Sequence, residues 1–104
     1  MKVIIGGCGR VGAMLATKLS AEGHDVVVID KDPLTFARLG KRFSGTTLRG
    51  MVFDKGVLDT AGADRSDAYI AVTSGDNSNV VSATIAREVY RIPKVVARIF
   101  DPRR

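Results

Sequence analysis

Apolar residues in this chain fall into short runs separated by stretches patterned like helices, and that alternation predicts an architecture. The first run, Lys2-Val3-Ile4-Ile5, breaks into glycines and reopens with Val11, Leu15 and Leu19 at helical spacing, while Lys18 and Glu22 face elsewhere. A helix is therefore predicted over about 10 to 22, ended by Gly23 as a left-handed cap. Asp25 to Asp30 encloses Val26-Val27-Val28-Ile29, a β-branched run expected of a strand buried on both faces in a parallel sheet. Asp32 as N-cap and Pro33 at the first helical position predict a second helix, carried by Leu34, Ala37, Arg38 and Leu39 to about Phe43. Thr46 to Arg49 reads as a third strand, 50 to 54 as an irregular loop, and 55 to 61 as a short helix with Val57, Leu58 and Ala61 on its apolar side. Ala68 to Val72 is a fourth strand. Ser74-Gly75-Asp76 supplies cap chemistry for a long helix from about Asn77 to Tyr90, with Val81, Ile85 and Val89 expected on its inner face. Pro93 stops the chain before a fifth strand, Lys94 to Arg98.

Strands alternating with helices, without long loops or internal repeats, imply right-handed crossovers around one parallel sheet. The expected class is α/β, a Rossmann-like three-layer domain with strand order 3-2-1-4-5 and no sixth strand. In that order the chain reverses direction between strands 1 and 4, so a ligand crevice is expected beyond their carboxyl ends. Its lining should come from Gly7 to Gly12, Asp30-Lys31-Asp32, the loop Gly50-Met51-Val52-Phe53-Asp54, and Thr73-Ser74.

Composition narrows the function. With 104 residues, 45% of them hydrophobic, the chain suits one domain with its own core. Sixteen Lys and Arg against eleven acids give a net charge of +5, which raises the question of nucleic acid. Apart from Lys41-Arg42 and Arg103-Arg104, however, the cations are scattered singly, and there is no aromatic series for base stacking. No apolar run is long enough to span a bilayer, and Met1 leads directly into the first strand with no room for a signal peptide, so a cytoplasmic protein is expected. Cys8, the single cysteine, cannot form an internal disulfide, and no Cys/His spacing suits zinc.

The chemistry concentrates at the first turn. Gly7, Gly9 and Gly12 stand in G-x-G-x-x-G spacing after a strand and before a helix, which suits a sharp turn, close backbone approach to a phosphate, and tight helix packing. Asp30 closes the next strand at the distance at which this fingerprint places a carboxylate on an adenosine ribose; there it would disfavour a 2′-phosphate, with Lys31 working against that preference. Arg10, at the helix mouth, is placed to reach a second or third phosphate. Cys8 is either a small residue between glycines or a thiol whose pKa the helix terminus lowers. Thr73 and Ser74 leave strand 4 where hydroxyls either meet the ligand or cap the next helix, and Arg98 is either an ion-pair partner or a ligand contact. His24, in a turn, has no nucleophile or metal ligand near it in sequence.

The glycine turn, Asp30, the Gly50 loop, Ala71-Val72-Thr73-Ser74-Gly75-Asp76-Asn77-Ser78-Asn79, and the closing Val96-Ala97-Arg98 and Asp101-Pro102 together resemble the N-terminal nucleotide-binding domain of bacterial potassium-transport regulators, the Trk/Ktr family of RCK or KTN domains. The resemblance covers essentially the whole chain. It implies phosphate contacts on Gly7, Cys8, Gly9, Arg10, Val11 and Gly12, ribose on Asp30, and further ligand contacts on Thr73, Ser74 and Arg98. Two departures stand out: family members commonly read Gly-Asp-x-Thr-Asp where this chain has Gly50-Met51-Val52-Phe53-Asp54, and Asn77 replaces a frequent glutamate. The family continues through a sixth strand, a crossover helix and often a C-terminal ligand domain, so the resemblance implies a fragment of a longer regulator. The implied function is a cytoplasmic, non-enzymatic module that binds NAD(H) or ATP/ADP and gates a membrane potassium transporter from its inner face as a dimer or ring. The alternative is a fragment of an NAD-dependent oxidoreductase. That reading needs a substrate domain and a positioned proton donor, which neither the length nor the placement of His24, Tyr69 and Tyr90 supplies.

Overall fold

The strands form where the β-branched runs stand. In the computed structural model, which describes residues 1–101, they are β1 (Lys2–Gly6), β2 (Asp25–Asp30), β3 (Thr46–Arg49), β4 (Ala68–Ala71) and β5 (Lys94–Ala97). Pro102, part of the family resemblance, and Arg103-Arg104 lie outside the described residues. All neighbouring strands pair in parallel, in the order β3-β2-β1-β4-β5, as expected. β1 lies at the centre, with Ile4 opposite Val27 on one side and Tyr69 on the other, so its side chains are buried on both sheet faces.

Alternation along each strand divides the core in two. Ile4, Val27, Ile29, Tyr69 and Ala71 face one layer, which holds α2 (Lys55–Ala61) and α3 (Asp76–Glu88). Val3, Ile5, Val26, Val28 and Ala68 face the other, which holds α1 (Arg10–Ala21) and the segment after β2. Burying each such Val or Ile contributes about 1.5–3 kcal/mol. α1 ends as the sequence requires: Gly23 takes φ 93°, its N–H donates to the Ser20 carbonyl, and the His24 N–H reaches back to Leu19.

Two elements differ from expectation. The predicted second α-helix is a 3₁₀ segment, Pro33–Arg38, followed by turns. Asp32 does cap it, accepting the Leu34 N–H, but no residue within it is fully buried, and Leu34 is 81% exposed. Its few anchors, Phe36, Leu39 and Phe43, do not form a continuous apolar stripe, and Gly40 interrupts the run to bond Thr17 through its N–H. The inner face of α3 is also not the valine face: Val81 and Val89 are exposed, whereas Asn79, Ser82 and Ala86 are buried and Ile85 packs against the core. Nor does Ser74 cap this helix, whose N-cap is Gly75 with no side-chain bond.

Tyr69 carries the largest fully buried side chain, packed so closely beneath Gly6 that a β-carbon there would collide with the phenol. Its hydroxyl has no hydrogen-bond partner among the described residues, the nearby Ser82 hydroxyl bonding the Asn79 carbonyl instead, and burial pushes its pKa from 10.0 up to about 12. The fold favours the neutral phenol, so the stability contributed by this group is fully present below pH 10 and is lost as the pH rises towards about 12. Replacing Tyr69 by Phe removes an unsatisfied buried group. It should stabilise the domain by about 1 kcal/mol in urea denaturation at neutral pH and flatten the alkaline decline. A variant less stable than wild type would show that the hydroxyl is satisfied in solution.

Candidate functional site

The three glycines of the first turn have different reasons for being glycine. Gly7 takes φ 116°, donates its N–H to Ile29 at 2.8 Å, and lies so near Thr73 that a β-carbon would meet the Thr73 backbone at 2.8 Å. A β-carbon on Gly12 would drive into the Gly7 carbonyl, so this glycine sets how closely α1 approaches β1. Gly9 has an ordinary φ of −78°, and a β-carbon there would meet nothing within 4 Å. It borders the cleft at the N-terminus of α1, where no side-chain cap and no acidic residue of the first turn occupies the free N–H groups.

Asp30 is fixed by two backbone donors, the Cys8 N–H to Oδ2 and the Asp32 N–H to Oδ1, each at 2.8 Å. One carboxylate thus fastens the glycine turn to the end of β2 while each oxygen keeps acceptor capacity. Cys8 itself points inward and is fully buried, its thiol 3.5 Å from the Thr35 carbonyl. Burial pushes that thiol above its ordinary pKa, with Asp30 adding to the rise and Thr35 and Arg38 opposing it, which overturns the lowered-pKa alternative.

On the far side of the switch point a buried asparagine joins two strand ends. Asn79 Oδ1 accepts both the Thr73 N–H (2.9 Å) and the Thr73 hydroxyl (2.7 Å); its Nδ2 donates to the carbonyls of Thr73 (3.1 Å) and Arg98 (2.9 Å). Thr73 is thereby committed to the end of β4, and the same amide holds the residue that follows β5. The Arg98 guanidinium lies under the Phe100 ring, 4.4 Å from its centroid, with Nη2 3.5 Å from the Val72 and Thr73 carbonyls and Nε buried without a partner. Among the described residues it makes no ion pair with a crevice carboxylate, one of the two roles left open for it.

These elements border a cleft of about 390 Å³ at the carboxyl ends of β1 and β4. Of the expected site residues it gathers Gly7, Gly9, Asp30, Lys31, Met51, Val52, Thr73, Ser74 and Arg98. It does not gather Cys8 and Val11, which pack into the core, nor Gly12, which is spent on helix packing. Phe53 is outside the lining, because the loop turns Val52 into the core and Asp54 caps α2 through the Gly56 and Val57 N–H groups. Arg10 lies along the outer flank of α1, in a neighbouring groove. Sequence reasoning missed Thr35, Arg38, Gly75, Ser78 and the Asn79 clasp. Asn79 and Ser82, polar residues three apart on one helix, were the available signal for the clasp.

Comparison with known proteins agrees with the fold. A protein-family model described as the TrkA-N domain matches residues 3–104. The Trk system potassium uptake protein TrkA of Streptomyces coelicolor is 50% identical over 104 residues, covering 100% of this chain and 47% of that protein. A TrkA homolog from Methanothermobacter thermautotrophicus is 35% identical over 102 residues, covering 98% of this chain and 47% of its own. The chain therefore spans about half the length of these relatives. Among solved structures, the Shewanella denitrificans Kef CTD in AMP-bound form aligns with a TM-score of 0.84 at 26% identity, over 99% of this chain and 62% of that one. The Bordetella bronchiseptica enzyme WbmH in complex with NAD+ aligns with a TM-score of 0.72 over 90% of this chain and 37% of that one, at 22% identity, a likeness of fold alone.

The clasp makes a test of its own. Asn79→Ala leaves the Thr73 N–H and the Arg98 carbonyl without their side-chain partner and should cost about 1–3 kcal/mol in thermal or urea unfolding. Hydrogen exchange should speed up first at Thr73. An unchanged midpoint would mean that other groups satisfy the two strand ends.

Proposed function

The chain belongs to the TrkA-N domain family, and from that premise we propose that it is the adenine-nucleotide-binding part of a potassium-uptake regulator. The observation that carries the reading is Gly9. Gly7 and Gly12 are explained by contacts within the protein, whereas nothing among the described residues requires glycine at position 9. A phosphate lying against the backbone there, on the free N–H groups of α1, supplies the missing reason. The Asp30 carboxylate, already held by two amides, then accepts ribose hydroxyls, and Thr73, Ser74 and Arg98 close the opposite wall. The ligand class is NAD(H) or ATP/ADP, with AMP a natural first probe.

The domain acts by binding. No His or Tyr lines the cleft among the described residues, and its lysine, Lys31, stands next to Asp30 at the end assigned to the ribose, away from where a nicotinamide would react, which favours a sensor over an oxidoreductase. A sensor works by holding two conformations with different affinity, and here the ligand touches β1, β2, β4 and the residue after β5, so occupancy bears on their relative positions. The regulated partner is a membrane potassium transporter, approached from the cytoplasm by a homo-oligomer of the longer regulator. No helix among the described residues is long and apolar enough to cross a membrane.

Calorimetric titration with AMP, ADP, ATP, NAD+ and NADH tests the reading. At least one should bind saturably, and Asp30→Ala should weaken it by about 1.5–3 kcal/mol, the loss of a charged acceptor, while the fold survives. Gly9→Ala should leave the melting temperature unchanged and weaken binding about tenfold or more, at 1.4 kcal/mol per decade. Undiminished affinity in Gly9→Ala would remove the observation on which the proposal stands.

A further inference from the structure

Behind the cleft, α1 and the segment from 33 to 43 enclose a second concavity, an open trough of about 830 Å³. Its rim carries Arg10, Lys18, Arg38 and Arg42, opposed by one acid, Glu22, at its far end. Its floor is apolar or small: Ala13, Met14 and Thr17, with Met14 60% exposed. The ion pairs found among the described residues, Lys2–Asp25 and Arg65–Asp64, involve none of the four rim cations. Like charges gathered on one flank without partners repel each other and destabilise the free domain slightly, and an exposed methionine among them adds an unpacked apolar side chain.

We propose that this trough docks an acidic, partly apolar segment of a partner protein. The cations fit carboxylates, and the Met14 floor fits an apolar side chain placed among them. A plain anion site, or the phosphate backbone of a nucleic acid, would have no use for that floor. A second copy of this domain is a poor occupant because most of its acids are already engaged, Glu22 and Glu88 excepted, and those two stand on different helices and form no acidic patch. Asp25 and Asp64 are ion-paired, Asp59 accepts the Tyr90 hydroxyl, and Asp54 caps α2; Asp67 accepts the Lys2 N–H, and Asp76 accepts the N–H groups of Phe100 and Asp101. Arg38 borders the trough and the cleft alike. A nucleotide phosphate and a partner carboxylate therefore compete for one guanidinium, a coupling that rests on the nucleotide reading, whereas the docking itself does not.

Fluorescence anisotropy with a labelled peptide of alternating glutamate and leucine, and its lysine–leucine counterpart, tests the surface. The acidic peptide should bind at low ionic strength and weaken steeply with salt, and the basic one should not bind. Lys18→Glu combined with Arg42→Glu should reduce affinity roughly tenfold, the product of two exposed pairs each contributing a few-fold, while leaving nucleotide titrations unchanged. Met14→Ser should weaken the peptide but not pyrophosphate. Three results overturn the proposal: no saturable peptide binding; indifference to Met14→Ser, which makes the trough a plain anion site; or low-salt self-association in sedimentation that the charge reversals abolish, which assigns it to a second copy. With AMP binding confirmed by calorimetry, saturating AMP should lower peptide affinity several-fold in the wild type and less in Arg38→Ala. Unaltered affinity overturns the coupling alone.

Discussion

Everything at the functional end of this domain depends on how closely three backbone segments approach one another. α1 lies against the end of β1 at Gly12, where a methyl group would strike the Gly7 carbonyl, and Gly7 lies against the backbone of Thr73 at the end of β4. Two missing β-carbons thus set the distance between a helix and two strands of the sheet. At interior packing density such contacts do not yield gradually, since overpacking costs about 1–3 kcal/mol or shifts the backbone. The cleft inherits its width from this stack. Its walls are then held by two polar clasps, Asp30 binding the turn to β2 and Asn79 binding β4 to the residue after β5.

The clasps use buried polar groups in opposite ways. Asn79 is fully buried, and its amide spends both donors and one acceptor site on backbone groups that strand ends would otherwise leave unpaired, and a second acceptor site on the Thr73 hydroxyl, so it stabilises the fold and specifies the switch-point geometry together. Asp30 is only partly buried and carries a charge, held by two amides on the protein side and open on the cleft side. The first group is complete without a ligand. The second is complete only as a structural acceptor and retains lone pairs facing the site.

Sheet order and strand positions were legible in the sequence because β-branched runs such as Val26 to Ile29 admit few alternatives, and because the glycine turn and Gly23 punctuate the chain where the backbone needs them. The helices were less legible. In α3, the repeat of Val81 and Val89 suggested an inner face, but the strand ends need hydrogen-bond donors and acceptors, which Asn79 supplies from the inner surface; Ser82 and Ala86 share that face and the valines turn outward. The segment after β2 carried good cap chemistry, yet too little of it is buried to maintain an α-helix against Gly40 and the short reach to β3. Arg38 entered the site by that route: its place depends on a 3₁₀ conformation that apolar periodicity does not report.

A residue whose identity the fold does not explain is information about something outside the fold. Most residues here are accounted for by the chain itself: Gly7 by its φ, Gly12 by helix packing, Tyr69 by core volume, Asp54 by a cap. Gly9 is not, since a β-carbon there would meet no neighbouring atom and its φ is one that any residue adopts. Arg98 is only half accounted for: its stacking on Phe100 is favourable, but a buried Nε without an acceptor leaves a cost that an anion in the cleft would relieve. The rim cations along α1 belong with these two, because a chain seeking only its own stability would intersperse carboxylates among them. The unexplained residues are not scattered. They lie along one path from Arg98 across Gly9 to Arg38 and down α1, the path along which both proposed ligands are placed.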